Sequence, residues 1–154
     1  MPRGEQGQAS SRSVVDFLGI GAQKGGTTWL YRQLLRHPQV AFPRGKELHY
    51  WNRRRLPLPD EWVQRLQPAS RQTADGRPIR TGEITPAYAI LPESRIGAIR
   101  EVCPEIRLFM SLRNPIERAW SAALMRLARA GRRLEDTGDD WFLEEFRSDV
   151  TCPP

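Results

Sequence analysis

Apolar residues fall in short runs separated by glycine, proline and charged turns, and the period of each run predicts its element. "VVDFLGI" (14–20) is apolar, β-branched and ends in glycine, which predicts a buried strand. From Thr27 to Arg36 the spacing becomes helical, with Trp29, Leu30, Leu34 and Leu35 on one apolar face and His37-Pro38 as the stop. "QVAF" (39–42) reads as a short second strand, "DEWVQRL" (60–66) as a short helix, and "IRTGEI" (79–84) as a strand closed by Thr85-Pro86. "PESRIGAIREVC" (92–103) is helical, with Ile96, Ile99, Arg100 and Cys103 along a face. "EIRLFMSL" (105–112) predicts the clearest buried strand after the first. It runs into "RNPIERAWSAALMRLARA", a helix started by Asn114 as N-cap, Pro115 at the first helical position and Glu117 completing a capping box. "DDWFLEEF" (139–146) is a final amphipathic helix, and Trp29 and Trp120 read as core residues. "RGKELHYWNRRRLPLP" (44–59) has no sustained period and reads as a loop with a task, while "SRQTADGRP" (70–78) is rich in turn formers.

Strands alternating with helices predict an α/β layer structure around a mainly parallel sheet. Residues 1–13, "MPRGEQGQASSRS", lack the apolar centre of a signal peptide and read as a disordered lead. Residues 14–150 read as one domain and 151–154 as a tail, with no internal repeat or linker. A chain of 154 residues suffices for one proper core.

Composition narrows the partners. With 39% hydrophobic residues and no apolar run near the length of a membrane span, the chain reads as soluble, without a membrane partner. Cys103 and Cys152 show neither metal-ligand spacing nor a disulfide framework, which makes a reducing cytoplasm the expected location. A net charge of +6 points to anionic partners. The arginines are scattered rather than interleaved with aromatics, so nucleic acid is not expected, and Arg53 to Arg55 read as a solvated loop. Of 24 basic residues only Lys24 and Lys46 are lysines, which points to sites wanting a compact, mobile ammonium.

Strand, glycine loop and helix follow one another at "GIGAQKGGTTWL" (19–30), the context of a phosphate-binding loop. Against G-x-x-x-x-G-K-[ST], laid from Gly21, Gly26 and Thr28 are in register, but Thr27 stands at the lysine position and the lysine is three places earlier, at Lys24. The strand "EIRLFMSL" leads to Arg113, where a metal-holding acid would be expected in an ATP-using protein. A donor that is not a triphosphate, and no bound metal, fit this loop better.

"QKGGTTWL" together with "LRNPIERAWS" resembles the paired donor-binding motifs of sulfotransferases that use 3′-phosphoadenosine 5′-phosphosulfate (PAPS). "KELHYW" and "GEITPAY" stand between them in the family's order, and the resemblance runs from about residue 16 to 130, closer to the glycan-modifying and bacterial branch. It implies a P-loop-type three-layer fold, of which this chain would be the donor-binding N-terminal half, truncated at "VTCPP". It implies that Lys24, Gly25, Gly26, Thr27 and Thr28 hold the 5′-phosphosulfate, and that Arg113 and Ser121 grip the 3′-phosphate. Glu47 matches the general base of the glycan branch, and His49, on the same side if the segment is extended, could assist or replace it. The acceptor would be a small molecule or glycan bearing a hydroxyl or amine. Where heparan-type relatives commonly carry lysine, this chain has Ile84, so the acceptor chemistry does not transfer directly. The alternatives are a non-catalytic nucleotide-binding remnant and, against the loop's register, a P-loop kinase.

Overall fold

The computed structural model describes residues 15–54 and 58–150, with side chains through Arg147. The lead 1–13, Val14, Arg55 and the tail 151–154 with Cys152 lie outside the described residues. The chain order is β1 (Phe17–Gly21), α1 (Thr27–Leu34), β2 (Val40–Ala41), α2 (Pro59–Arg65), β3 (Arg80–Ile84), a 3₁₀ turn (Pro86–Ile90), α3 (Glu93–Val102), β4 (Arg107–Met110), α4 (Pro115–Arg129), a second 3₁₀ turn (Leu134–Asp136) and α5 (Asp139–Val150). The four strands form one sheet in the order β2-β3-β1-β4, and every pairing is parallel. The expected α/β architecture is therefore present, and a helix lies in each crossover between strands.

Residue alternation along β1 separates the two faces of the sheet. Leu18 and Ile20 pack with Trp51, Trp62, Leu66, Tyr88, Ile99 and Cys103, the main core beneath α2 and α3. Phe17 points the other way, its ring 5.4 Å from Phe42, which in turn lies 4.8 Å from Tyr31 of α1. Gly19 shares that second face because the space is already taken: a β-carbon there would lie 2.6 Å from the Phe109 ring and 2.9 Å from Ile84. Helices thus cover both faces of the sheet. A smaller core joins α4 to α5 through Ala123, Leu127 and Phe142.

Several apolar positions differ from the periodicity reading. β4 is an edge strand paired only with β1, and Leu108 and Met110 are exposed, so it is not the buried strand expected from "EIRLFMSL". Trp29 is 67% exposed and Leu35 is exposed too, so the apolar face of α1 is only partly used. Trp120 is likewise exposed and not the core residue expected, although its ring stacks on Phe142 at 4.9 Å. On α3 the buried positions are Ile99 and the capping Cys103, while Ile96 faces solvent. Spacing identifies which residues share a face; it does not say whether another element covers that face.

Candidate active site

The turn after β1 closes by backbone contact with the end of β4. Ser111 N–H donates to Gly21 O at 2.7 Å, Ala22 N–H donates to Ser111 O at 2.9 Å, and the Ser111 hydroxyl donates to Gly25 O. Gly25 must be glycine for this closure, since a β-carbon would sit 2.5 Å from Ser111 O and 2.9 Å from Ala22 O. Gly26 then starts α1 with φ 89°, a left-handed conformation that glycine adopts without cost. No side chain caps α1 and no acidic residue lies in its first turn, which leaves the helix N-terminus free to receive an anion.

Lys24, Gly26, Thr27, Thr28, Glu47, His49, Arg113 and Ser121 all line one cleft of about 410 Å³. Of the nine residues expected to form the site, only Gly25 is outside that lining, and it serves the closure just described. The cleft also takes in Lys46, Met125 and Arg129. Arg129 carried no expected role, although Ser121, Met125 and Arg129 are spaced four apart on α4 and so share a face. Four cations, Lys24, Lys46, Arg113 and Arg129, face one carboxylate, Glu47, so the cleft is electropositive.

The segment carrying Glu47 and His49 is not extended, so the condition under which sequence spacing would put them on one side is not met. Both residues have left-handed backbones, with φ 63° and 51°. A non-glycine residue held there costs about 1–3 kcal/mol, and such strain concentrates at functional sites. The turn still brings the two side chains together: His49 Nε2 lies 3.4 Å from Glu47 Oε2, and Glu47 also pairs with Lys46. Asn52 Nδ2 lies 3.2 Å from His49 Nδ1. If Asn52 donates, Nδ1 is the acceptor and the proton sits on Nε2, facing Glu47. In that tautomer His49 orients the carboxylate.

At the start of α4, Asn114 accepts from Ile116 N–H at 2.9 Å and Glu117 N–H at 3.4 Å, as a capping residue should. Glu117 does not close the expected capping box; its carboxylate accepts from Arg113 Nε at 2.9 Å. Arg113 keeps its terminal nitrogens for a second acceptor. Beneath the cleft, Glu83 of β3 is fully buried and bonded to Trp62, Thr85, Tyr88 and Leu48. Burial pushes its carboxyl above the ordinary carboxylate range, although its four donors pull the other way. Tyr88 is raised as well, by its burial and then by the charge of Glu83. Ile84, the next residue, is buried on the opposite face of β3 and does not line the cleft.

A parallel sheet whose first strand feeds a glycine loop and an uncapped helix defines an α/β anion-binding class. No family model matches the chain. It is 34% identical over 121 residues to human heparan sulfate glucosamine 3-O-sulfotransferase 6, covering 77% of this chain and 32% of that protein. A similarity of 29% identity over 108 residues links it to the membrane-associated sulfotransferase kil1 of Dictyostelium discoideum, covering 70% of this chain and 22% of the relative. The crystal structure of a sulfotransferase from Alicyclobacillus acidocaldarius superposes with a TM-score of 0.58 at 26% identity, over 78% of this chain and 52% of that one. The chain fits the sulfotransferase family, a family of transferase enzymes. It spans about a third of the length of the heparan sulfate relatives.

The same comparison overturns the expected cytoplasmic location, since the relatives are heparan sulfate sulfotransferases and a protein named as membrane-associated. Counting cysteines reports on disulfide use and was too indirect to assign a compartment. Among the described residues, no helix is long and apolar enough to cross a membrane.

Proposed function

We propose that the chain forms the donor-binding part of a sulfotransferase that moves a sulfuryl group from PAPS to an acceptor hydroxyl or amine. The reading is carried by the convergence of three sequence-distant segments, around residues 23–28, 46–49 and 113–129, on one electropositive cleft. The donor fits what the cleft offers: an uncapped helix N-terminus, two threonine hydroxyls, a lysine without an ion-pair partner among the described residues, and a guanidinium with free donors.

Lys24 and the loop of Gly25, Gly26, Thr27 and Thr28 hold the 5′-phosphosulfate, and Arg113 and Ser121 hold the 3′-phosphate. PAPS supplies an activated sulfuryl group attached to a good leaving phosphate. Glu47 takes the proton of the acceptor as its oxygen or nitrogen bonds to sulfur, and the sulfur–oxygen bond to phosphate breaks with its electron pair leaving on that oxygen. Lys24 neutralises the charge that develops there. His49 holds the Glu47 carboxylate in place. The heparan sulfate relatives favour a glycan as the acceptor class.

The test is release of the desulfated 3′,5′-bisphosphate (PAP) from PAPS with a heparan-type glycan and with simple hydroxyl and amine acceptors. Release should depend on the acceptor, and Glu47→Gln should abolish most of it while leaving PAP affinity nearly unchanged. Turnover that survives Glu47→Gln and is lost in His49→Ala would identify the other base. Binding of PAP with no transfer to any acceptor would instead mark a nucleotide-binding remnant.

A further inference from the structure

Glu83 takes no part in the transfer chemistry, yet it is the most heavily hydrogen-bonded buried carboxylate described in the chain. Its side chain is fully buried between β3 and α2. Oε1 accepts from Trp62 Nε1–H at 2.6 Å and from the Tyr88 hydroxyl at 3.1 Å. Oε2 accepts from the Thr85 hydroxyl at 2.8 Å and from the backbone N–H of Leu48 at 3.3 Å. Leu48 stands between Glu47 and His49, the two cleft residues whose backbones are left-handed.

The same network reaches the segment at three further points. Glu47 N–H donates to the carbonyl of Ile84, the neighbour of Glu83, at 3.0 Å. The Tyr88 oxygen accepts the N–H groups of Tyr50 at 2.8 Å and Trp51 at 3.3 Å while its own proton is committed to Glu83. A strained, non-extended backbone persists only where its surroundings over-determine it, and here those surroundings are bonds organised by one carboxylate. We propose that Glu83 is a positioning residue that clamps the Glu47–Trp51 segment onto β3 and so aims Glu47 and His49 into the cleft. The link to catalysis rests on the sulfotransferase reading above; the clamp itself does not.

Glu83→Gln provides a selective perturbation. A glutamine side chain has one oxygen and one NH₂; the Thr85 hydroxyl can rotate to accept from that NH₂, whereas the Tyr88 oxygen already accepts two N–H groups. The NH₂ is therefore placed toward Thr85, the oxygen stays with Trp62 and Tyr88, and the Leu48 N–H loses its acceptor.

Amide hydrogen exchange with mass spectrometry, read on the peptide spanning 46–51, tests the clamp without any activity. Glu83→Gln should exchange at Leu48 about tenfold faster than wild type, while the peptide spanning 19–30 stays unchanged. Unchanged exchange at Leu48 in a folded Glu83→Gln protein would overturn the proposal. Should Glu83→Gln fail to fold, Tyr88→Phe serves instead: Tyr50 should exchange about tenfold faster, and unaltered exchange overturns the clamp. In the transfer assay Glu83→Gln should lower kcat about tenfold at constant KM for PAPS. A wild type that transfers nothing defeats the sulfotransferase reading and leaves the exchange result to decide the clamp.

Discussion

Gly25→Ala is the sharpest test of how the loop is built. The added methyl would meet two backbone oxygens, Ser111 O at 2.5 Å and Ala22 O at 2.9 Å, neither of which can rotate away as a side chain could. Forcing an extra methyl into a closed site costs about 1–3 kcal/mol. Here the shift also disturbs the bonds between Ser111 and residues Gly21, Ala22 and Gly25, each worth about 0.5–1.5 kcal/mol. Losing one of them brings the total to about 2–4 kcal/mol, which lowers Tm by about 4–16 °C for a chain of this size. Thermal unfolding followed by circular dichroism measures it, with PAP affinity read in parallel and expected to weaken. Gly97→Ala is the matched control, because a β-carbon there meets nothing within 4 Å and α3 gains a better helix former. It should be neutral or stabilising by up to about 1 kcal/mol. A Gly25→Ala protein with wild-type Tm and PAP affinity would refute the closure argument.

Two further predictions concern charge. Lys24→Ala should cost about 10²–10³-fold in rate at saturating PAPS, since it removes a preorganised positive group from the leaving oxygen, whereas Arg113→Ala should act mainly by raising KM for PAPS, its contact being remote from the bond that breaks; equal loss of kcat in both at normal KM contradicts this division. Glu83 has a folded-state pKa raised by burial, so the native state holds its proton more tightly than the unfolded chain. Its contribution therefore favours the fold most at low pH and declines as pH rises from the ordinary carboxylate value of about 4.3 through the raised one. Urea unfolding across that window should show wild type losing stability relative to Glu83→Gln as pH rises; the opposite slope would mean that the four donors outweigh burial.

Much of the fold and of the candidate cleft's local geometry was legible in the sequence because local rules govern those parts. The run into Gly21, the glycine loop and the Asn114-Pro115 start each depend on residues within a few positions of one another, and each is present in the structure. The exposure of β4 and Trp29 was not legible, since it depends on what packs against them, which spacing does not encode. The left-handed backbones of Glu47 and His49 were hidden for a related reason: they are held by bonds to residues some 35 positions away, such as Leu48 to Glu83. Glu83 itself gave one usable signal, a carboxylate inside a strand whose neighbours are otherwise uncharged toward its end, "GEIT". Arg129 could have been found by counting turns of α4 back to Ser121.

The central claim, that this loop serves a phosphosulfate donor rather than a magnesium-bound triphosphate, is tested most directly by ligand-dependent thermal unfolding of the chain. PAP at a hundredfold excess over its Kd, without added Mg²⁺, should stabilise by about 2.7 kcal/mol and raise Tm by about 5–10 °C. Arg113→Ala should reduce that shift, and ADP, which lacks the 3′-phosphate, should produce much less. Stabilisation by ATP with Mg²⁺ and no response to PAP would contradict the account.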